Sequence, residues 1–349
     1  RTIFGEKHNS LTGLVGGGGS GIETKDGKLV FPVEGTKKKD NTETDVKIVS
    51  LIIRSSDAES WTLSNEISAD GCGDPSVVEW KDGKLMMMTA CDDGPRRVYE
   101  SGDKGESWTE ALGTLSRVWG NEQGGEAKDV RSGVITATVG NGADNRNVML
   151  VTLPVYARKA DTEVNGKGEL HLWLTDNTHI VDIGPVSGND DDVAASSLLY
   201  KGGSETEAND NEKLIALYEK KKGSGKPQSL GMVSVLLTEQ LKRVKEVLAT
   251  WKKVDDTVSK LCSTSSAAVS APIGTACSTN FNITAGLVGF LSGNFSGKTW
   301  RDEYLGVNAT VKKDGGAELT DNGVKFQGAS AEWPVGRQGE NQLYHFANY

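Results

Sequence analysis

The sequence is poor in cysteine, histidine and proline and has no long apolar run, and these shortages exclude several classes of protein. Its four cysteines and four histidines match no zinc-binding spacing, so we expect neither a metal nor a cofactor. The acidic run Asp190–Asp192 fits a hydrated loop better than a calcium site. No apolar stretch reaches about 18 residues, which predicts no membrane span. The net charge of −9 argues against nucleic acid as a partner, because phosphate binding needs clustered positive charge.

Glycine, in contrast, is abundant. The chain has 43 glycines and 8 prolines, a composition that suits many tight turns between short antiparallel strands. One pentapeptide occurs twice, as Lys25–Leu29 and as Lys81–Leu85. In both places an Asp-Gly pair predicts a hairpin turn, followed by a strand at Val30–Val33 and at Leu85–Thr89.

An eight-residue motif, Ser101–Trp108, follows the second pentapeptide. It has the pattern Ser-x-Asp-x-Gly-x-x-Trp, with Ser101, Asp103, Gly105 and Trp108 at the fixed positions. We expect a hairpin turn in which the aspartate binds turn amides, the glycine adopts an unusual backbone conformation and the tryptophan packs beneath. The motif resembles the Asp box of sialidase-type β-propellers, which marks a fold and not a catalytic centre.

Weaker copies of this pattern predict further blades. Ser55–Trp61 is a box that is one residue short, and Leu172–Asn177 keeps only a strand and the aspartate. A fourth unit is readable only as the strands Ser196–Tyr200, Lys213–Tyr218 and Leu230–Leu237. Four blade-like units therefore occupy residues 11–237, and a generic β-sandwich would not explain the repeats.

The hydrophobic period changes after Thr238. Apolar residues recur at helical spacing up to Leu261, with Trp251 on the apolar face, so we predict a connecting helix over 238–262. The predicted organisation is a propeller fragment (1–237), this helix, and a linker with the first part of a second β domain (263–349). The second domain is expected to contain the strands Ala285–Leu291, Val307–Val311 and Val324–Phe326.

Three sequons and the even number of cysteines suggest a secreted protein. The sequons begin at Asn282, Asn294 and Asn308. Cys262 and Cys277 close a Ser- and Thr-rich loop and are expected to form a disulfide. Cys72 and Cys91 flank the hairpin at the second pentapeptide, where the register would allow another bridge.

Several long segments closely resemble the trypanosomal trans-sialidase superfamily, from about residue 12 to the end. They are Gly71–Pro75, Arg97–Ser101, Gly113–Gly120, Leu172–Asn177, Gly286–Ser292 and Tyr344–Asn348. The resemblance implies a six-bladed propeller joined by a helix to a lectin-like, concanavalin-A-like jelly-roll sandwich. About four blades would be present here, so we expect a fragment that lacks earlier blades, a signal, the rest of the lectin domain and an anchor signal. Such an open arc is expected to fray at its first unit and to self-associate through its edges.

The resemblance also implies a catalytic set, which this sequence does not preserve. The family uses a tyrosine nucleophile, a glutamate that takes its proton, an acid/base aspartate and three arginines that bind the sugar carboxylate. Asp74 stands at the glutamate position and Ala90 at the second arginine position. Lys167 falls near the third arginine position and Ala195 stands at the tyrosine position. The first arginine and the acid/base aspartate are expected before residue 1, so we predict no catalysis.

The resemblance therefore suggests the inactive, amastigote surface protein-like branch of the superfamily. Such a protein would be a parasite cell-surface glycoprotein that binds a host-cell or matrix protein or glycan and aids invasion. Three alternatives remain: a residual lectin for sialic acid or galactose, a weakly active sialidase or trans-sialidase, and a variable surface antigen without a specific ligand. An exposed aromatic and polar patch would favour a glycan ligand, and a broad apolar patch would favour a protein.

Overall fold

The chain folds mainly into antiparallel β-sheet. The computed structural model describes residues 11–333 except 39–45, 113, 120–130, 141–144, 159–163, 189–190, 203–211, 223–228, 264–290, 297, 303–307, 313–315 and 321–322. Within these residues, four sheets follow one another along the chain and are succeeded by a helix and by a second set of strands. Each of the four sheets corresponds to one predicted blade.

Blade 1 and blade 2 each contain one copy of the pentapeptide turn. Blade 1 has the strand order β1-β3-β4-β5, with β2 paired to β3, and comprises β1 (Leu11–Gly16), β2 (Ile22–Glu23), β3 (Leu29–Lys38), β4 (Val46–Ser55) and β5 (Thr62–Leu63). Blade 2 has the order β6-β7-β8-β9 and comprises β6 (Cys72–Glu79), β7 (Leu85–Cys91), β8 (Arg97–Ser101) and β9 (Thr109–Glu110). The predicted Asp-Gly turns connect β2 to β3 and β6 to β7, and positive φ angles at Gly27 (82°) and Gly83 (72°) explain the need for glycine.

Blades 3 and 4 continue the same antiparallel pattern. Blade 3 has the order β10-β11-β12-β13 and comprises β10 (Val134–Val139), β11 (Arg146–Arg158), β12 (Val164–Thr175) and β13 (Ile180–Pro185). Blade 4 has the order β14-β15-β16 and comprises β14 (Val193–Lys201), β15 (Lys213–Lys222) and β16 (Ser229–Leu236). The three strands predicted for the fourth unit are therefore confirmed; the first two are longer than predicted, and the third begins and ends one residue earlier.

The core lies between neighbouring blades, and strand β7 shows how the sequence specifies it. Leu85 and Met87 point toward blade 1, whereas Met86 and Met88 point toward blade 3. Successive side chains of a strand lie on opposite faces, so a strand buried on both faces needs an uninterrupted apolar run. Burying one such side chain contributes about 1.5–3 kcal/mol to stability.

Helix α1 (Thr238–Ser263) follows blade 4 directly, as the change of period predicted. Its apolar residues Leu241, Val244 and Val247 join the core shared by blades 3 and 4. Trp251, predicted on the apolar face of the helix, is fully buried there, so α1 packs against the propeller. Among the described residues, no helix is long and apolar enough to cross a membrane.

The remaining described residues form short strands. They are β17 (Leu291–Ser296), β18 (Thr299–Asp302), β19 (Ala309–Lys312), β20 (Ala317–Thr320), β21 (Gly323–Phe326) and β22 (Ser330–Glu332). β17, β18, β19 and β22 form one sheet, and β20 and β21 form a hairpin. The strands predicted near Val311 and Val324 are present, whereas the one predicted over Ala285–Leu291 lies outside the described residues except for Leu291.

Candidate functional site

A cavity of about 490 Å³ lies where the innermost strands of all four blades meet. Its walls come from residues 18–25 between β1 and β3, from β6, from the start of β10 and from β14. The innermost strand of each blade contributes one wall, as expected if the cavity follows the propeller axis. Gly18 and Arg131 line this cavity, whereas Asp74, Ala90 and Ala195 do not.

Asp74 lies at one end of β6 beside two charged residues that the sequence analysis did not identify. Its backbone N–H donates to Glu34 Oε1 at 2.5 Å, and its Oδ1 is 3.7 Å from Nη2 of Arg131. The Asp74 backbone has a positive φ of 47°, an uncommon conformation for a residue with a side chain. The two carboxylates and one guanidinium leave the cluster with a net negative charge.

Arg131 links three blades at this end of the cavity. It precedes β10 of blade 3, faces Asp74 of blade 2 and lies against Gly18 of blade 1. A Cβ atom on Gly18 would be 1.6 Å from Arg131 Cζ, so the guanidinium occupies the space that a side chain at position 18 would need. Arg131 Nε is buried and has no hydrogen-bond partner among the described residues.

The structure places Ala90 and Ala195 close to this cluster. Ala90 pairs with Gly73, the neighbour of Asp74, in the β6–β7 ladder. Ala195 forms an isolated β-bridge with Arg131, and the N–H of Ser196 donates to the Arg131 carbonyl at 3.1 Å. Ala90 and Ala195 therefore lie close to the cluster of Glu34, Asp74 and Arg131 in the fold.

Hydroxyl groups join the inner strands below this cluster. Ser76 Oγ donates to the Ser132 carbonyl at 3.0 Å, and the Thr152 and Ser196 hydroxyls are 2.9 Å apart. The Gly133 N–H donates to Thr152 Oγ1 at 3.0 Å. These bonds connect blade 2 to blade 3 and blade 3 to blade 4.

Two tyrosines of blade 4 have raised pKa values, whereas an activated tyrosine nucleophile would have a lowered pKa. Tyr218 pairs with Ser196 in the ladder, is buried, and donates its hydroxyl to Asp191 at 2.8 Å. Burial, followed by the Asp191 hydrogen bond, raises the Tyr218 pKa to about 12. Burial and the neighbouring Glu212 raise the Tyr200 pKa to about 12 as well. A phenol attacks efficiently only when a base or a lowered pKa activates it.

Lys167 is not joined to the Asp74 cluster by any described contact. Its backbone lies in β12, beside Gly168, whose N–H donates to Asp192 Oδ1 at 3.2 Å. The Lys167 side chain lies outside the described residues. Among the described residues, no group of three or more His, Cys, Asp or Glu side chains could hold a metal ion.

The Asp box has the predicted geometry and lies in the β8–β9 turn of blade 2. Asp103 accepts the side-chain and backbone hydrogen bonds of Ser107 and the hydroxyl of Ser101, and these bonds hold its pKa well below the usual range. Gly105 has a φ of 90°, and Trp108 Nε1 donates to its carbonyl at 3.2 Å. The incomplete box forms a similar turn, because Asp57 accepts the N–H groups of Glu59 and Ser60.

Of the two predicted disulfides and three predicted sequons, the structure describes the side chains of one disulfide and of one sequon asparagine. Cys72 and Cys91 form a disulfide across β6 and β7, next to Asp74 and Ala90. Cys277 and Asn282 lie outside the described residues, and so do the side chains of Cys262 and Asn294. Asn308 is exposed, and its amide oxygen accepts the Asp302 N–H at 2.9 Å.

Comparison with known proteins agrees with the fold described above. A family model described as a BNR repeat-like domain matches residues 1–219, and one described as the trans-sialidase C-terminal domain matches residues 283–349. "Sialidase 85-1.1" from Trypanosoma cruzi is 37% identical over 331 residues, which cover 92% of this chain and 38% of that protein. A second Trypanosoma cruzi "Sialidase" is 32% identical over 341 residues, which cover 96% of this chain and 26% of that protein.

Solved structures give the same result. Trypanosoma rangeli sialidase matches with a TM-score of 0.69 and 34% identity, over 97% of this chain and 49% of that one. Its complex with 2,3-difluorosialic acid, a covalent intermediate, matches with a TM-score of 0.71 and 35% identity, with the same coverage. The predicted propeller architecture is confirmed, and the chain spans about half of these structures and less of the two Trypanosoma cruzi sialidases.

Proposed function

This chain belongs to the trypanosomal trans-sialidase superfamily, and we propose that it is a non-catalytic member that acts in adhesion to host cells. The observation that carries the proposal is Ala195. It stands at the position of the family's tyrosine nucleophile and bridges to Arg131 inside the candidate site. A methyl group forms no covalent glycosyl intermediate, and loss of a nucleophile alone costs several orders of magnitude in rate.

The surroundings of Ala195 support the same proposal. Ala90 supplies no guanidinium to bind a sugar carboxylate, and Asp74 is one methylene shorter than the glutamate implied at its position. Arg131 faces Asp74 at 3.7 Å, so the carboxylate that would accept a proton is matched with a cation.

Exposed aliphatic side chains next to the site favour a protein as the partner. Val15, Val46 and Ile48 are 58%, 49% and 43% exposed and lie on one sheet of blade 1. The methyl Cγ2 of Ile48 is near Gly73, the neighbour of Asp74. Glu34 and Thr36 of β3 lie between Val15 and Ile48 on this face. Exposed aliphatic side chains beside such polar ones suit a protein interface better than a glycan site, which needs aromatic groups as well as polar ones.

We therefore propose a host cell-surface or matrix protein as the partner and the parasite surface as the location. The proposal of inactivity is tested with a fluorogenic sialoside at micromolar protein, with Trypanosoma rangeli sialidase as the positive control. We expect no turnover above buffer. Measurable hydrolysis would contradict the proposal.

The adhesion proposal needs a separate binding experiment. Purified chain is applied to host cells, to a panel of matrix proteins and to a glycan array. We expect saturable binding to a protein that the Ile48→Lys substitution weakens and the Leu236→Lys substitution in blade 4 does not. Binding confined to sialylated or galactosylated glycans would favour the lectin alternative, and binding to none of the three would exclude adhesion.

A further inference from the structure

The edge of strand β1 that faces away from β3 is unpaired within the described part of the chain. In blade 1 the order β1-β3-β4-β5 places β1 at the edge, with β3 as its partner. Every second residue of an edge strand directs its N–H and C=O groups away from the sheet. Leu14 and Val15 are 38% and 58% exposed, so this edge is open to solvent.

β1 also lacks the features that usually protect an edge strand. Its sequence, Leu-Thr-Gly-Leu-Val-Gly, contains no charged residue and no proline. Natural sheets commonly place lysine, proline or inward-pointing charges on such edges to prevent pairing with other chains. The one irregularity is a register shift between Leu11 and Gly13, which leaves Gly13–Gly16 in regular pairing.

The edge leads toward the candidate functional site. Gly17 packs against Pro75, and Gly18 packs against Arg131, so β1 ends beside the mouth of the cavity. Leu11 is six residues from Gly17, which corresponds to about 20 Å of extended chain. A second strand laid along the free edge of β1 would therefore run toward Pro75 and Arg131.

We propose that β1 binds an extended segment of a partner protein by strand addition. The backbone of β1 would supply the hydrogen bonds, and side chains on one face of blade 1 would supply specificity. On that face Val15 lies directly opposite Glu34 in the ladder, and Ile48 lies opposite Thr36, two pairs further along. An aliphatic segment with a basic residue fits this combination of apolar side chains and negative charge.

A partner protein fits the edge better than a second copy of this chain. The chain carries a net charge of −9, so two copies repel each other, whereas a basic segment is attracted. The regular part of the edge, Gly13–Gly16, is also short for sheet-to-sheet pairing but sufficient for a peptide. The biological meaning of this inference rests on the proposed adhesive function, whereas the peptide-binding test does not depend on that function.

The test uses a synthetic peptide of ten residues, with alternating valine and threonine between terminal arginines. We expect it to bind the whole chain and to slow amide hydrogen exchange at Leu14–Gly16. An analogue N-methylated at alternate residues is expected to bind at least tenfold more weakly, because it cannot complete the ladder. An analogue with glutamates in place of the arginines is expected to bind more weakly at low salt.

Two substitutions at one position keep the test interpretable. Val15→Pro removes a backbone donor, and Val15→Lys adds a charge while keeping the backbone intact. Both are expected to weaken peptide binding at least tenfold. Leu236→Lys is the control, because Leu236 is 55% exposed, close to the 58% of Val15, and lies in blade 4.

The outcomes separate this inference from the proposed function. Absence of peptide binding at millimolar concentration, equal binding of the N-methylated analogue, or unchanged exchange at Leu14–Gly16 would overturn strand addition and leave adhesion untouched. A dimer that Val15→Lys disperses would overturn it too, by making a second copy the occupant. If the chain binds the peptide but binds no cell or matrix protein, the result would support strand addition at β1 and exclude adhesion.

Discussion

The indole ring of Trp251 in α1 stacks on the imidazole ring of His179 in blade 3, with centroids 4.6 Å apart and planes inclined by 24°. Arg146 lies 5.3 Å from the same indole and also pairs with Asp176, which in turn binds His179. Burial would raise the pKa of Asp176, but His179 and Arg146 hold it well below its usual range. The remnant of the third Asp box thus attaches the connecting helix to the propeller.

Trp251→Ala is expected to destabilise the propeller by about 3–5 kcal/mol, because it removes a fully buried indole and leaves a cavity. Urea unfolding followed by circular dichroism measures the change. Lys252→Ala, at an exposed position on the next residue, is the control and is expected to change stability little. A Trp251→Ala protein as stable as wild type would mean that α1 does not depend on this packing.

The Cys72–Cys91 disulfide is expected to stabilise the chain by about 3 kcal/mol, since it closes a loop with a sequence separation of 19. The double substitution Cys72→Ala and Cys91→Ala removes it without reducing any other cysteine. The urea concentration at the midpoint of unfolding should fall, without a large change in the slope of the unfolding free energy against urea concentration. An unchanged midpoint would show that the β6–β7 ladder alone holds this hairpin.

His171 makes stability depend on pH near neutrality. Burial would lower its pKa, but the hydrogen bond and charge of Asp182, together with Glu169, raise it above the usual value. A raised histidine pKa adds stability at low pH, and this stability is lost as pH rises through the folded-state pKa. The melting temperature of wild type relative to His171→Gln should therefore be highest near pH 6 and decline toward pH 8.

Asp182→Asn is the matched variant for that experiment. It removes the main partner charge, so it should show the same flattened pH dependence as His171→Gln. A wild-type advantage that is constant from pH 6 to pH 8 would contradict the assignment.

Asp103→Asn is expected to loosen the blade 2 turn locally. The carboxylate accepts backbone bonds from Glu106 and Ser107, and an amide oxygen replaces only part of this set. Amide exchange at Glu106 and Ser107 should accelerate, and the melting temperature should fall. Asp82→Asn, in the β6–β7 turn, is the control. Equal effects of the two substitutions would show that the Asp box does not stabilise its turn more than an ordinary hairpin aspartate does.

The blades and the helix were predictable because each has a local signature. The Asp-Gly turns, the Asp box and the change of period at Thr238 depend on neighbours in sequence, so the sequence alone identifies them. Asp74, Ala90 and Ala195 were identified by resemblance, and the fold brings them together. The Cys72–Cys91 bridge followed from the register of a two-strand hairpin.

Glu34 and Arg131 could not be identified in this way, because their importance depends on contacts between blades. Arg131 is 57 positions from Asp74 in sequence, and nothing local marks either partner. One usable signal existed: Arg131, like Asp74, stands at the start of an innermost strand, where side chains face the axis. A search of those positions in every blade would have found it.

The contact between Gly18 and Arg131 implies that these two positions are epistatic. A side chain at position 18 would displace the guanidinium, and the positive φ of 72° there would add backbone strain. Substitutions at 18 and 131 should therefore have non-additive effects on the charge that Asp74 experiences. Under the proposed inactivity, a tyrosine introduced at position 195 would leave Ala90 and the contact between Arg131 and Asp74 unchanged.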